Sequence, residues 1–109
     1  MSLAFKVVDE EIEGKPYHCG ITVLENVVLA LIWEGAEPRM GSLTVTLPAS
    51  GSSQLLGDRD TLLGRTLGVY ISAKYGKMSL VSTNLSKGYS EEVGKRLLDL
   101  VKHASEEKV

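Results

Sequence analysis

Cys19 is the one cysteine in 109 residues. An internal disulfide is therefore excluded, and a single thiol cannot frame a zinc site. That cysteine usage fits a reducing, cytoplasmic setting. Neither sign of charge is in excess: 12 Lys and Arg stand against 14 Asp and Glu, for a net charge of -2. Such a balance gives no electrostatic grip on nucleic-acid phosphates and no polybasic anchor for a membrane surface. The longest apolar run, Val27 to Trp33, is far shorter than the roughly 20 residues needed to cross a bilayer. Met1-Ser2-Leu3-Ala4-Phe5-Lys6 lacks the apolar core of a signal peptide. Walker-type and dinucleotide-type glycine loops are missing, as is the G-x-S-x-G nucleophile elbow.

What remains has the balance of an ordinary globular domain. Hydrophobic residues make up 43% and charged residues 24%, which sets the chain apart from a disordered tail. Its length suits one domain spanning 1–109.

The order of elements follows from periodicity. Leu3 to Val8 is apolar, an acidic stretch runs from Asp9 to Glu13, and Gly14-Lys15-Pro16 marks a turn. Tyr17, Cys19, Ile21 and Val23 alternate with His18, Gly20 and Thr22, as a strand with one buried face does. Together these segments read as a hairpin. Val27 to Trp33 is apolar at every position, which predicts a strand covered on both faces by helices or by a partner sheet. After the loop from Glu34 to Pro38, Leu43, Val45 and Leu47 alternate with Ser42, Thr44 and Thr46 in another half-buried strand. Ala49 to Ser53 is small and polar, and reads as an exposed, mobile loop closed by Leu55-Leu56-Gly57-Asp58.

A helix is expected from Arg59 to Tyr75, capped by Asp58 or Asp60, with Leu62, Leu63, Thr66, Leu67, Tyr70 and Ala73 as its buried stripe. Gly64 and Gly68 share one face and let another element approach closely, whether a second subunit or the chain's own sheet. A strand over Met78 to Thr83 follows, then a loop, then a final helix capped by Ser90 with Val93, Leu97, Leu100, Val101 and Ala104 as its apolar stripe. Runs of strands before helices predict an α+β fold: a mostly antiparallel β-sheet packed with two α-helices.

The residues offer little catalytic chemistry. His18 and Cys19 are neighbours on a strand and point to opposite faces, which argues against a Cys–His pair. His103 sits on a solvated helix end. Asp58 and Asp60 lie two apart and read as metal ligands or, more simply, as a helix cap. The acidic run reads either as a strip for a basic partner or as a solvated hairpin end. Trp33 is either core or an interface anchor. No catalytic residue, metal site or cofactor is expected.

Several segments occur in the order and spacing of a known family. Leu31-Ile32-Trp33-Glu34-Gly35-Ala36-Glu37-Pro38 is an apolar strand ending in Trp and a Gly-Ala-x-Pro turn. Ser53-Gln54-Leu55-Leu56-Gly57-Asp58 follows the next strand, and Asn84-Leu85 closes a later one before a charged helix. From about Leu29 to Ala104 this pattern resembles the proteasome assembly chaperone 4 family. The resemblance implies an α+β protein without catalytic residues. It implies pairing with a related chaperone subunit, or with itself as a homodimer. It also implies binding to α-type proteasome subunits during assembly of the α-ring. On that analogy Trp33, Gly35, Ala36 and Pro38 shape one partner-binding loop, and Leu55, Leu56, Gly57 and Asp58 end another. The alternative is a small α+β scaffold or adaptor dimer for another regulatory or trafficking complex. A third reading, a small enzyme using Asp58 or Asp60, would require turnover that depends on a metal.

Overall fold

The computed structural model describes residues 3–106. Strands β1 (Lys6–Ile12) and β2 (Lys15–Val23) form the expected hairpin. Glu13 and Gly14 make its turn, both at positive φ (52° and 82°), the pairing that matches the right-handed twist of flanking strands. Strand β3 (Val27–Glu34) lies antiparallel to β2. Strands β4 (Ser42–Leu47) and β5 (Gly51–Leu56) form a second hairpin. Helix α1 (Thr61–Tyr75), strand β6 (Met78–Asn84) and helix α2 (Glu91–Glu106) complete the chain.

The six strands make one sheet in the order β1-β2-β3-β6-β4-β5. Only β3 and β6 run parallel, at its centre. A parallel neighbour demands a crossover, and here the crossover carries the second hairpin and α1. The architecture is thus α+β with a mostly antiparallel sheet and two helices.

Both helices lie on the same face, α1 over β4 and β6, α2 over β1 and β2. Beneath α2 the core is apolar: Cys19, Ile21 and Ile32 of the sheet meet Val93, Leu97 and Val101. The α2 stripe is the one its periodicity predicts, and Ser90 Oγ accepts the Val93 N–H at 3.2 Å as its cap.

The seat of α1 is different. Its buried residues are Leu63, Gly64, Leu67, Gly68, Ile71 and Ser72. The stripe is therefore rotated from the expected one: Leu62 is 70% exposed, and Thr66 and Ala73 face solvent. A Cβ at Gly64 would stand 2.6 Å from Thr44 Oγ1, and one at Gly68 would stand 2.4 Å from Thr46 Oγ1. The two glycines thus serve the close packing of α1 on its own sheet. Ser72 Oγ lies 3.1 Å from the Thr46 carbonyl and 3.0 Å from Ser79 Oγ, whose hydroxyl donates to the Gly68 carbonyl. Small residues let the backbone settle, and hydroxyls satisfy what is buried.

Two further expectations are corrected. Residues 51–53 belong to β5, which is held to β4 by side chains as well as backbone. Thr44 Oγ1 donates to Gln54 Oε1 at 2.8 Å, and Thr46 Oγ1 lies 2.7 Å from Ser52 Oγ. Asp60 occupies the N-cap of α1 in the left-handed region and makes no side-chain capping bond, and the helix starts at Thr61 rather than Arg59.

Candidate protein-docking surface

With both helices on one face, the other face of the sheet has no layer over it among the described residues. The pleat decides what it shows. In β4 the polar side chains point inward, as does Ser79 of β6: Thr44 is 3% exposed, Thr46 2% and Ser79 0%. Their apolar neighbours point outward. Leu43, Val45 and Leu80 are half-buried, and Leu47 is 48% exposed. In β3 the alternate residues Val28, Ala30 and Ile32 enter the core, while Leu29 and Leu31 lie half-exposed on the open face. The strand apolar at every position is therefore covered by its own chain on one side only.

Trp33 lies on this open face near the β1–β2 side. Its ring covers Gly20, whose Cβ position is 3.5 Å from Trp33 Cζ3, and it stacks on His18 with centroids 5.1 Å apart. Glycine at that position leaves room for the indole. His18 Nδ1 lies 2.5 Å from Asp9 Oδ1. Trp33 Nε1 and His18 Nε2 are buried without a hydrogen-bond partner among the described residues. Trp33 is 6% exposed, so it is packed by its own chain even though it stands on the uncovered side.

The end of the sheet where β3, β5 and β6 finish gathers the other residues singled out from the sequence. Gly35 turns the chain with φ of 96°, and its N–H donates to the Pro16 carbonyl at 3.1 Å. Ala36 and Pro38 are exposed on the loop that follows. That loop is anchored at both ends. The Glu34 carboxylate accepts from Ser86 N (2.9 Å) and Ser86 Oγ (2.5 Å) and lies 3.7 Å from Lys15 Nζ. Burial alone would push the Glu34 carboxyl up, but the Ser86 bonds and the Lys15 charge outweigh it and hold it below the usual range. Asn84 Nδ2 donates to the Met40 carbonyl.

At the end of β5, Leu55 and Leu56 are 53% and 59% exposed. A register shift at Leu43/Thr44 places both leucines against one partner position, as in a β-bulge. Gly57 has φ of 77°, and a Cβ there would stand 2.5 Å from Ser42 Oγ. Asp58 is exposed. Arg59 ties this turn down, its side chain donating to the Leu85 carbonyl at 2.8 Å. Burial raises the neighbouring Asp60 carboxyl, against the Arg59 charge and a Tyr89 hydrogen bond that pull it down.

Strand direction thus brings both loop groups to one end of the sheet, but β6 and β4 stand between them. Three strand spacings separate them by about 14 Å. They form two parts of one rim. Gly35 and Gly57 shape the backbone there, while Ala36, Pro38, Leu55, Leu56 and Asp58 present side chains. A partner sheet over β3 was expected, but Leu29, Leu31, Leu43, Val45 and Leu80 of the open face were not among the expected partner-binding residues. Their signal lay in the all-apolar run of β3 and in the alternation of β4, whose apolar side faces outward. Among the described residues, no group of three His, Cys, Asp or Glu is placed to hold a metal ion.

The surface is an apolar sheet face bordered by a rim of exposed loop residues. No protein-family model matches the chain, and no curated protein sequence does. Among solved structures, the fold is similar to a chain in the crystal structure of a chaperone complex for yeast 20S proteasome assembly. That likeness has a TM-score of 0.61 at 15% sequence identity, over 92% of this chain and 97% of that one. At this identity the match shows a shared fold across nearly the whole of both chains.

Proposed function

We propose that this protein is a non-enzymatic, chaperone-like binding module of the proteasome assembly chaperone 4 kind. It works in the cytoplasm as a dimer with a related chaperone subunit or with itself, and it holds α-type proteasome subunits while the α-ring is built. One observation carries the reading: the sheet face opposite the helices is apolar and uncovered. A large contiguous apolar surface marks an interaction site, and a second sheet laid about 10 Å away is the ordinary way to bury one. The fold of the yeast chaperone complex chain and the ordered motifs from Leu31 to Asn84 support the assignment to proteasome assembly. The rim residues Gly35, Ala36, Pro38, Leu55, Leu56, Gly57 and Asp58, supported by the packed Trp33 at the end of β3, are the surface we assign to the α-type subunit.

Size-exclusion chromatography with light scattering tests this, on the chain alone, with a related chaperone subunit, and with purified α-type subunits. The reading expects a dimer, formed by the chain with itself or with that subunit, and a discrete larger complex when an α-type subunit is added. A monomer under both dimerisation conditions that ignores every α-type subunit would remove it.

A further inference from the structure

The sheet has two edges, and the chain treats them differently. An unpaired edge is a template for another strand unless charge, proline or a covering element blocks it. Strand β1 carries Lys6, Asp9, Glu10 and Glu11, and Arg96 of α2 donates to the Glu10 carboxylate. That edge is guarded. Strand β5 reads Gly51-Ser52-Ser53-Gln54-Leu55-Leu56, with no charge and no proline. Its bulge lies at the Leu55 end, leaving Gly51 to Gln54 in regular register with β4.

Helix α1 runs beside this edge without closing over it. Thr61, Arg65, Val69 and Ala73 stand one helical turn apart and are all exposed. Two clefts lie between this row and the second hairpin. One, of about 280 Å³, has Ser52 and Gln54 on one side and Thr61 and Arg65 on the other. The second, of about 250 Å³ and mostly apolar, lies between Leu47, Gly51, Val69 and Ala73. Arg65 is the one charged residue lining either cleft, and it makes no ion pair among the described residues. A seventh strand on the free edge of β5 would send alternate side chains toward α1. Successive side chains on one face of a strand are about 6.8 Å apart, close to the roughly 6 Å that four helical residues rise from Arg65 to Val69. Strand and helix therefore present one matched pair of subsites.

We propose that β5 and α1 form a strand-addition groove for an extended segment of another protein. The segment places an acidic side chain over Arg65 and an aliphatic one, two residues away, in the cleft between Gly51 and Val69. Backbone pairing supplies affinity, and the two subsites supply selectivity. The groove lies off the open sheet face, so it stands or falls separately from the dimer and α-subunit reading.

Selection of short random displayed peptides on the purified full chain tests it. Enriched peptides should carry an acidic and an aliphatic residue at alternate positions. A synthetic version should slow hydrogen exchange of the β5 amides. Arg65→Glu should weaken that peptide about tenfold, and reselection on this variant should return a basic residue at the acidic position. Val69→Arg should abolish binding; both substituted side chains are exposed, so folding is expected to survive, which circular dichroism checks. The proposal is overturned if no such pattern is enriched, or if bound peptide protects the open face rather than β5. It is also overturned if β5 becomes protected with rising protein concentration and no peptide, since the edge then pairs with a second copy.

Discussion

Gly68→Ala probes the seat of α1 most directly. Judged by helix propensity alone, the substitution should stabilise α1 by about 1 kcal/mol. The structure reverses the sign. The new methyl would stand 2.4 Å from Thr46 Oγ1 and 3.2 Å from Thr46 Cβ, where ordinary contacts need roughly 3.5 Å or more. Either the helix lifts by about 1 Å or Thr46 rotates, and Thr46 is buried with its hydroxyl bonded to Ser52. Overpacking of this kind costs about 1–3 kcal/mol, and loss of the hydroxyl bond about 1 kcal/mol more. The net expectation is destabilisation by about 1–3 kcal/mol, a fall in Tm of about 4–8 °C for each kcal/mol. Urea unfolding followed by circular dichroism reads it, with the midpoint falling and the slope unchanged. Thr46→Ala removes the obstructing oxygen, so the double variant should lose less stability than the two single losses together. A Gly68→Ala protein as stable as the parent, or more so, would refute the argument that this glycine is a packing requirement.

Leu31→Asp puts a charge on the open face and should convert the proposed dimer to a folded monomer by light scattering; a dimer that survives the substitution would place the interface elsewhere. Cys19 is fully buried, and burial pushes its thiol up to about 12, so thiol reagents near pH 8 should label it only as fast as the chain opens. Rapid labelling of native protein would contradict that. Glu34 is held below the usual carboxylate range, so its stabilisation is present above the unfolded value and fades as pH falls through the folded one. Glu34→Gln should therefore flatten the acid side of a Tm-against-pH curve, and a curve of unchanged shape would show that the Ser86 and Lys15 contacts matter little. Ser90→Ala removes the α2 cap and should cost about 1 kcal/mol, read by thermal melting; no change would assign the cap no energetic role.

Where alternation or helical period ran through large side chains, the chain was legible. The first hairpin, β3, β4, β6 and the whole apolar stripe of α2 follow from it. The parts that escaped share one physical cause: they pack through small and polar groups. Strand β5 is glycine, serines and glutamine before its leucines, a composition of low strand propensity. Tertiary pairing of Gln54 with Thr44 and of Ser52 with Thr46 overrides that. The buried row of α1 holds Gly64, Gly68 and Ser72, so apolar periodicity alone points to Leu62. Threonine on the inner side of β4 reverses the usual rule in the same way. The rim positions could be placed at one end of the sheet only once the parallel β3–β6 pair was known, because that pairing joins residues 51 positions apart, such as Val27 and Met78.

The lid over β1 and β2 is α2, made some seventy residues later in the chain than the strands it shelters. At ribosomal speeds of about 5–20 residues per second, the first hairpin and β3 spend several seconds in the exit vestibule with Cys19, Ile21 and Ile32 still wet. During translation the nascent meander is thus sticky on both sides, and it becomes one-sided only when α2 emerges.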